Sequence, residues 1–428
     1  MKKPIYLDNA ATTPPDPRVV SRMLPYLYDR FGNAASRTHA RGWGAEEAVE
    51  IAREQVAMLI GCEPAEIVWT SGATEANNLA LKGIAQNSPG THRHIVTAGT
   101  EHSSVLEPLR ALQRQGFSVS VLAVEPSGLL DPERFAAALQ PHTLLASVMW
   151  VNNETGVIQD IAALAAICRA RGVLLHVDAA QAAGKIGIDW SAVPIDLMSI
   201  SAHKIHGPQG IGALVVRKGL APRLAAQMHG GGQERGLRGG TLPLPQIVGC
   251  GEAYRLARNS MATDNERIRA LRDRLWAGIG ALDGVRLNGD PEQRVPHHLN
   301  VSFSGIEADA LLAALASELA VSSGAACASD HVEPSHVLLA LGRSEDLALS
   351  SIRFSLGRFT NMEEIERAIE IVRAQVGLLR SAAPVAPGKA LDDDPDDPDC
   401  PMKRLRRRAQ ARKAAAARRL AASTGVSR

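Results

Sequence analysis

Aromatic residues make up only 4% of the 428-residue chain, so its core must be built from Ala, Leu, Ile and Val. Cysteine is scarce as well. The five are Cys62, Cys168, Cys250, Cys327 and Cys400, an odd and scattered set with no Cys-x-x-Cys pair. That pattern excludes a disulfide framework and a thiolate zinc site. No stretch approaches 18 consecutive apolar residues, which excludes a membrane-spanning helix. Met1-Lys2-Lys3 is followed by Pro4-Ile5-Tyr6-Leu7-Asp8 instead of an apolar run, so no secretory signal is expected. These absences point to a cytoplasmic protein with free thiols.

What is present is ordinary globular material. Hydrophobic residues are 45% and charged residues 21%, which excludes wholesale disorder, and the length suggests two or three domains. The net charge of +2 hides a division. From Leu391 to Arg428 there are ten basic and six acidic residues, a surplus of +4 that leaves −2 for residues 1–390. This tail, in which Leu391–Asp399 is acidic and Met402–Arg408 basic, reads as a disordered polyampholyte, with too little apolar content to order it. A second reading has Met402–Ala422, rich in Ala and Arg, becoming a helix on an acidic partner or on RNA.

β-branched and apolar runs at 66–70, 94–97, 117–124, 143–151, 173–177, 197–201 and 212–216 read as buried strands. Helical patterns at 45–60, 73–85, 103–115, 132–139 and 161–171 precede or separate them. This alternation predicts an α/β fold with a mostly parallel sheet covered on both faces, and ligands at the strand C-termini. Beyond a Gly-rich loop at 228–245, a helix over 246–282, a strand at 299–303, a helix at 308–319, a strand at 351–355 and a helix at 362–379 read as a smaller α+β region.

Three strand ends carry chemistry. Thr70-Ser71-Gly72-Ala73-Thr74-Glu75 opens a helix and suits a phosphate, though taken alone it reads better as a plain cap by Ser71 or Thr74 with Glu75 in the first turn. Asp178, in His176-Val177-Asp178-Ala179-Ala180-Gln181, ends an apolar strand, where a carboxylate needs a cationic partner, a cap or a salt bridge. Lys204, in Ser201-Ala202-His203-Lys204, follows another strand, and a partly desolvated Lys is a candidate amine nucleophile. Together, phosphate cradle, acid and Lys are the three anchors of pyridoxal phosphate.

With these and with Tyr6–Thr13, Val151-Asn152-Asn153-Glu154, Gln227–Arg235, Arg238-Gly239-Gly240-Thr241 and Ser322-Ser323-Gly324-Ala325-Ala326-Cys327, the chain from about Ile5 to Arg380 resembles class V aminotransferase-fold enzymes, and among them the cysteine desulfurases. The resemblance implies the type I fold of pyridoxal-phosphate-dependent transferases. It implies an N-terminal segment 1–16, a large cofactor-binding domain 17–255, a small domain 256–382 with a mobile cysteine loop 322–334, and the tail 383–428. It also implies roles. Lys204 holds the cofactor covalently, His102 stacks on its ring and assists proton transfer, and Asp178 pairs with the ring nitrogen. Asn153 and Gln181 bond near the ring hydroxyl and the substrate. Ala73, Thr74, Ser201 and His203 contact the phosphate, and Thr241 reaches the cofactor of a partner subunit in a homodimer. Arg353 clamps the carboxylate of L-cysteine. Cys327 takes the sulfur as a persulfide, with L-alanine as the other product. Iron–sulfur scaffold proteins and transfer-RNA thiolation carriers are the implied acceptors. No metal site of its own is implied, although Cys327 is a candidate transient iron–sulfur ligand shared with a scaffold.

Two departures stand out. Ala202 replaces a residue that is frequently Gly, which a backbone contact tolerates unless φ must be positive. The tail does not resemble the family's scaffold-docking C-terminus. Selenocysteine lyase and cysteine sulfinate desulfinase are the alternative activities. A nucleic-acid-binding protein working through the tail, and a silent assembly subunit, are the alternatives of a different kind. The intact Lys204, Asp178, His102 and Cys327 argue against the last two.

Overall fold

The computed structural model describes residues 3–88, 90–323 and 333–382. Cys327, Cys400 and the charged tail lie outside the described residues. Residues up to Gly377 form one compact unit, and of the second unit only the helical residues 378–382 are described.

The strands are β1 (Ile5–Tyr6), β2 (Ile67–Thr70), β3 (His94–Ala98), β4 (Ser118–Leu122), β5 (Thr143–Met149), β6 (Leu174–Asp178), β7 (Leu197–Ser201), β8 (Gly212–Val216), β9 (Val285–Leu287), β10 (His298–Phe303), β11 (Leu319–Ala320) and β12 (Ser351–Ser355). The helices are α1 (Pro17–Tyr28), α2 (Ala40–Ile60), α3 (Ala73–Gln86), α4 (Ser103–Arg114), α5 (Pro132–Ala138), α6 (Ile161–Arg171), α7 (Leu244–Ile279), α8 (Ala308–Leu315), α9 (His336–Ala340), α10 (Glu345–Leu349) and α11 (Met362–Ala382).

All seven strands expected in the first half join one sheet in the order β2-β8-β7-β6-β5-β3-β4. Only β8 runs against its neighbours; β7, β6, β5, β3 and β4 pair in parallel. Both faces are apolar, with side chains alternating between them. Val68, Ile95, Leu145, Leu174 and Leu214 pack on one side with Leu79 and Leu109 of α3 and α4. Trp69, Val96, Ala146, Leu175 and Val215 pack on the other with residues of α2, α6 and α7. A three-stranded sheet, β12-β10-β9, and the short parallel pair β1-β11 complete the strands of the described residues.

Local chemistry sets the helix ends. Asp160 caps α6 by accepting from Ala163 N, Arg169 and Arg171 occupy its last turn, and Gly172 closes it with φ 65. Among the boundaries the sequence pattern misplaces, two differ most. α2 begins five residues before the apolar periodicity because His39 caps it, its side chain accepting from Gly42 N; an imidazole is not a usual cap signal. Conversely, α8 ends at Leu315, and Leu319–Ala320 is drawn into a strand by pairing with Ile5–Tyr6, a contact no local pattern reveals. No described helix is long and apolar enough to cross a membrane.

Candidate active site

The C-terminal ends of β2, β3, β5, β6 and β7 open on the same edge of the sheet, and their following residues line a cavity of about 440 Å³. It contains Ala73, Thr74, His102, Asn153, Asp178, Gln181, Ser201, His203 and Lys204, so the structure brings together nine residues proposed from sequence. A wider cleft of about 900 Å³ shares His102, Asn153 and Lys204 and adds Asp8, Glu154, Ser322, His336 and Arg353.

At the β2–α3 corner the helix N-cap is Gly72 and carries no side-chain cap bond. Ser71 and Thr74 do not cap; the Glu75 carboxylate instead accepts from Ser71 N at 2.7 Å and pairs with Arg238 at 2.8 Å. The N–H groups of the first turn are thus without a side-chain cap, and the Ser201 hydroxyl, buried nearby in the cavity wall, has no partner among the described residues. That is a seat for an anion. Close approach makes glycine necessary here: a Cβ on Gly212 would lie 2.5 Å from Ile200 O and 2.8 Å from Gly72 Cα. Ala202 keeps a negative φ and bonds through its N–H to Ile211 O, so the departure at this position is harmless.

Asp178 is 6% exposed. Its carboxylate accepts from Ala180 N at 2.9 Å and from Asn77 Nδ2 at 2.8 Å, both neutral donors, and it makes no ion pair among the described residues. A buried carboxylate so placed favours a cation in the cavity. Gln181 donates to Ala10 O at 2.8 Å and accepts from the buried Lys185 Nζ at 2.5 Å. Burial lowers the Lys185 ammonium to about 7, helped by Lys204 and Arg353.

Lys204 Nζ donates to Ala10 O at 2.6 Å and Ala11 O at 2.7 Å. Burial pushes its pKa down to about 8, with Arg353 adding to the effect and Asp8 and Asp178 opposing it. It therefore carries a useful fraction of free amine near neutral pH. His203 is pushed down to about 4 by burial and by Lys204 and Lys185, and its Nδ1 lies 3.1 Å from Thr12 Oγ1.

Arg353, on β12, donates to Asn153 O at 2.9 Å and to Asp8 Oδ1 at 2.8 Å, while its Nε is buried without a partner among the described residues. Asn153 Oδ1 is likewise buried and unpartnered. Glu154 accepts from Ser335 Oγ at 2.5 Å, and burial raises its carboxyl to about 7. Thr241 is exposed and lines neither cavity. Cys168 and Cys250 are buried and Cys62 half-buried; burial raises all three thiols, those of Cys62 and Cys168 to about 12, which makes them poor nucleophiles.

Sequence reasoning gave no role to Asp8, Asn77, Ser104, Glu154 or Lys185. Asp8 and Glu154 stand inside motifs used for the resemblance, but their partners Arg353 and Ser335 are hundreds of residues or a domain's width of chain away. Asn77 and Ser104 lie on helices whose packing alone aims them inward.

Residues 5–368 match the family model for aminotransferase class-V, and the chain belongs to that family, with its type I fold. Among curated relatives, "Cysteine desulfurase IscS" of Methylococcus capsulatus is 58% identical over 385 residues, 90% of this chain and 95% of the relative. Among solved structures, a NifS-like protein has a TM-score of 0.82 at 34% identity, covering 89% of this chain and 100% of its own. Another, described as SspA in complex with cysteine, has a TM-score of 0.73 at 35% identity, covering 83% of this chain and 99% of its own.

Proposed function

We propose that the protein is a pyridoxal-phosphate-dependent cysteine desulfurase that takes sulfur from L-cysteine, releases L-alanine and supplies iron–sulfur cluster assembly. The observation that carries this reading is the convergence of an uncapped helix N-terminus, an acid without an ion-pair partner and a low-pKa Lys around one cavity. The residues fit the cofactor: among the described residues Asp178 has neutral donors only, and the Ser201 hydroxyl and Asn153 Oδ1 are buried with no partner.

Bound pyridoxal phosphate supplies an electron sink for a carbanion at the amino-acid Cα. The N–H groups of Ala73 and Thr74, with Ser201 and His203, hold its phosphate. Asp178 would keep its ring nitrogen protonated, His102 would stack on the ring, and Asn153 and Gln181 would hydrogen-bond to it from the same cavity wall. Lys204 would hold it covalently and would be the base for the Cα proton; burial already lowers its ammonium to about 8 in the protein alone. Arg353 binds the substrate carboxylate through its guanidinium fork. The Cys327 thiolate takes the sulfur as a persulfide and passes it on. The exposed Thr241 suits a homodimer in which it reaches the partner subunit's cofactor. Sulfur carriers for transfer-RNA thiolation are further acceptors.

The test is direct. The purified protein is expected to be yellow, and Lys204→Ala to abolish covalent cofactor attachment. Cys327→Ser is expected to keep the colour and lose sulfide release from cysteine by more than 100-fold (roughly the loss of a covalent nucleophile). Sulfide release at the full rate from Cys327→Ser would overturn this mechanism.

A further inference from the structure

Two side chains that the mechanism above does not use join the groups on either side of the cavity. Asn77 of α3 is fully buried. Its Nδ2 donates to Asp178 Oδ2 and to Ser104 Oγ, both at 2.8 Å. A carboxylate only accepts, so the amide nitrogen must face Asp178, and both amide protons are thereby spent. Ser104 Oγ, already an acceptor from Asn77, has its own proton left for His102 Nδ1, 2.8 Å away. The Ser104 backbone N–H reaches the same ring nitrogen at 3.1 Å, because His102 is the N-cap of α4. With two donors converging on it, Nδ1 is unprotonated, and the neutral ring carries its proton on Nε2.

We propose that Asn77 is a positioning residue that, through Ser104, locks His102 in the Nε2–H tautomer and, with the same amide, aims the Asp178 carboxylate. This rests on reading the cavity as the cofactor site. A ring held in this way offers a hydrogen-bond donor at Nε2 and no free lone pair there. It orients and polarises, and it leaves proton abstraction from Cα to Lys204. The charged state of the ring is also disfavoured: burial, Lys204 and His336 lower its pKa against the opposing pull of Asp178.

The experiment is 15N NMR of protein labelled at histidine, with His102 assigned by its absence in His102→Gln. The wild-type holoenzyme is expected to show His102 with Nδ1 bare and Nε2 protonated. In Asn77→Ala the pattern is expected to move towards a mixture of tautomers, with kcat about tenfold lower and KM for cysteine changed less than about twofold. A wild-type ring protonated on Nδ1 overturns the proposal, and so does a folded Asn77→Ala whose His102 pattern is unchanged. If Asn77→Ala does not fold, Ser104→Ala removes the hydroxyl arm alone and must also shift the pattern; no shift overturns the relay. Failure of the cofactor reading shows separately, as a wild-type protein that stays colourless with pyridoxal phosphate, and the tautomer in that cofactor-free protein still decides the lock.

Discussion

Arg353 meets Asp8 before it meets any substrate. Asp8 holds one arm of the guanidinium at 2.8 Å, and a substrate carboxylate must share or replace that contact. The same carboxylate raises the Lys204 pKa, while Arg353 lowers it. Asp8→Asn removes only the charge, so the Lys204 ammonium is expected to titrate at lower pH than in the wild type. The check is the pH dependence of Lys204 modification by an amine-reactive reagent in cofactor-free protein; a midpoint unchanged or raised would contradict the assigned coupling. Residue identity made Lys204 and Asp178 legible in the sequence, because Asp178 ends one buried strand and Lys204 follows another by three residues. Asp8 was not, because its significance comes from a β1–β12 neighbourhood that joins residues 345 apart in the chain.

At the scale of elements, α2 and α7 cross at small residues. A Cβ on Gly251 would stand 2.6 Å from Ala52 Cα and 2.7 Å from Ala52 Cβ. Helix propensity alone predicts that Gly251→Ala stabilises by about 1 kcal/mol. Packing predicts the opposite: the Gln55 Oε1 tip, 2.5 Å away, can move, but the Ala52 backbone cannot, and overpacking costs roughly 1–3 kcal/mol. A net loss is therefore expected, read as a lower urea midpoint; a gain would show that the helices do not meet there. Most strands of the main sheet were legible because burial on both faces makes them apolar runs; the edge strand β4, Ser118–Leu122, is partly exposed and alternates instead. The α8 end and β1–β11 were not, since a two-residue strand has no periodicity of its own and exists only through its partner.

At the scale of the whole molecule, buried imidazoles govern acid stability. His176 lies at 0% exposure between Ser147 and Ser199 hydroxyls, and burial pushes its pKa down to about 3; His206 is pushed down to about 4. Both are neutral in the folded state, and both gain a proton more readily when unfolded, near pH 6.5. Their contribution is complete above pH 6.5 and is lost as pH falls towards 4 and then 3, at roughly 3–5 kcal/mol each. Glu154 works in the other direction: its carboxyl is raised to about 7, so stability falls as pH rises from its unfolded value to neutrality, and Glu154→Gln is expected to gain on the wild type across that interval. Denaturant midpoints from pH 4 to 8 check both signs. Truncation after residue 390 is expected to leave desulfurase turnover unchanged in a steady-state assay, because every residue assigned a role precedes it.

The sequence by itself determined the α/β class, the strands of the main sheet, and the order in which phosphate seat, acid and Lys follow one another, because each depends on short-range pattern: an apolar run, a helix start, a polar residue after an apolar run. Tertiary structure alone decided which donors surround them. That Asp178 faces two neutral donors, that Lys204 is buried enough to fall to about 8, and that Asn77 ties His102 to Asp178 all follow from chain segments brought together across the sheet. Burial and hydrogen-bond geometry are properties of that assembly, and they have no local signature in the order of residues.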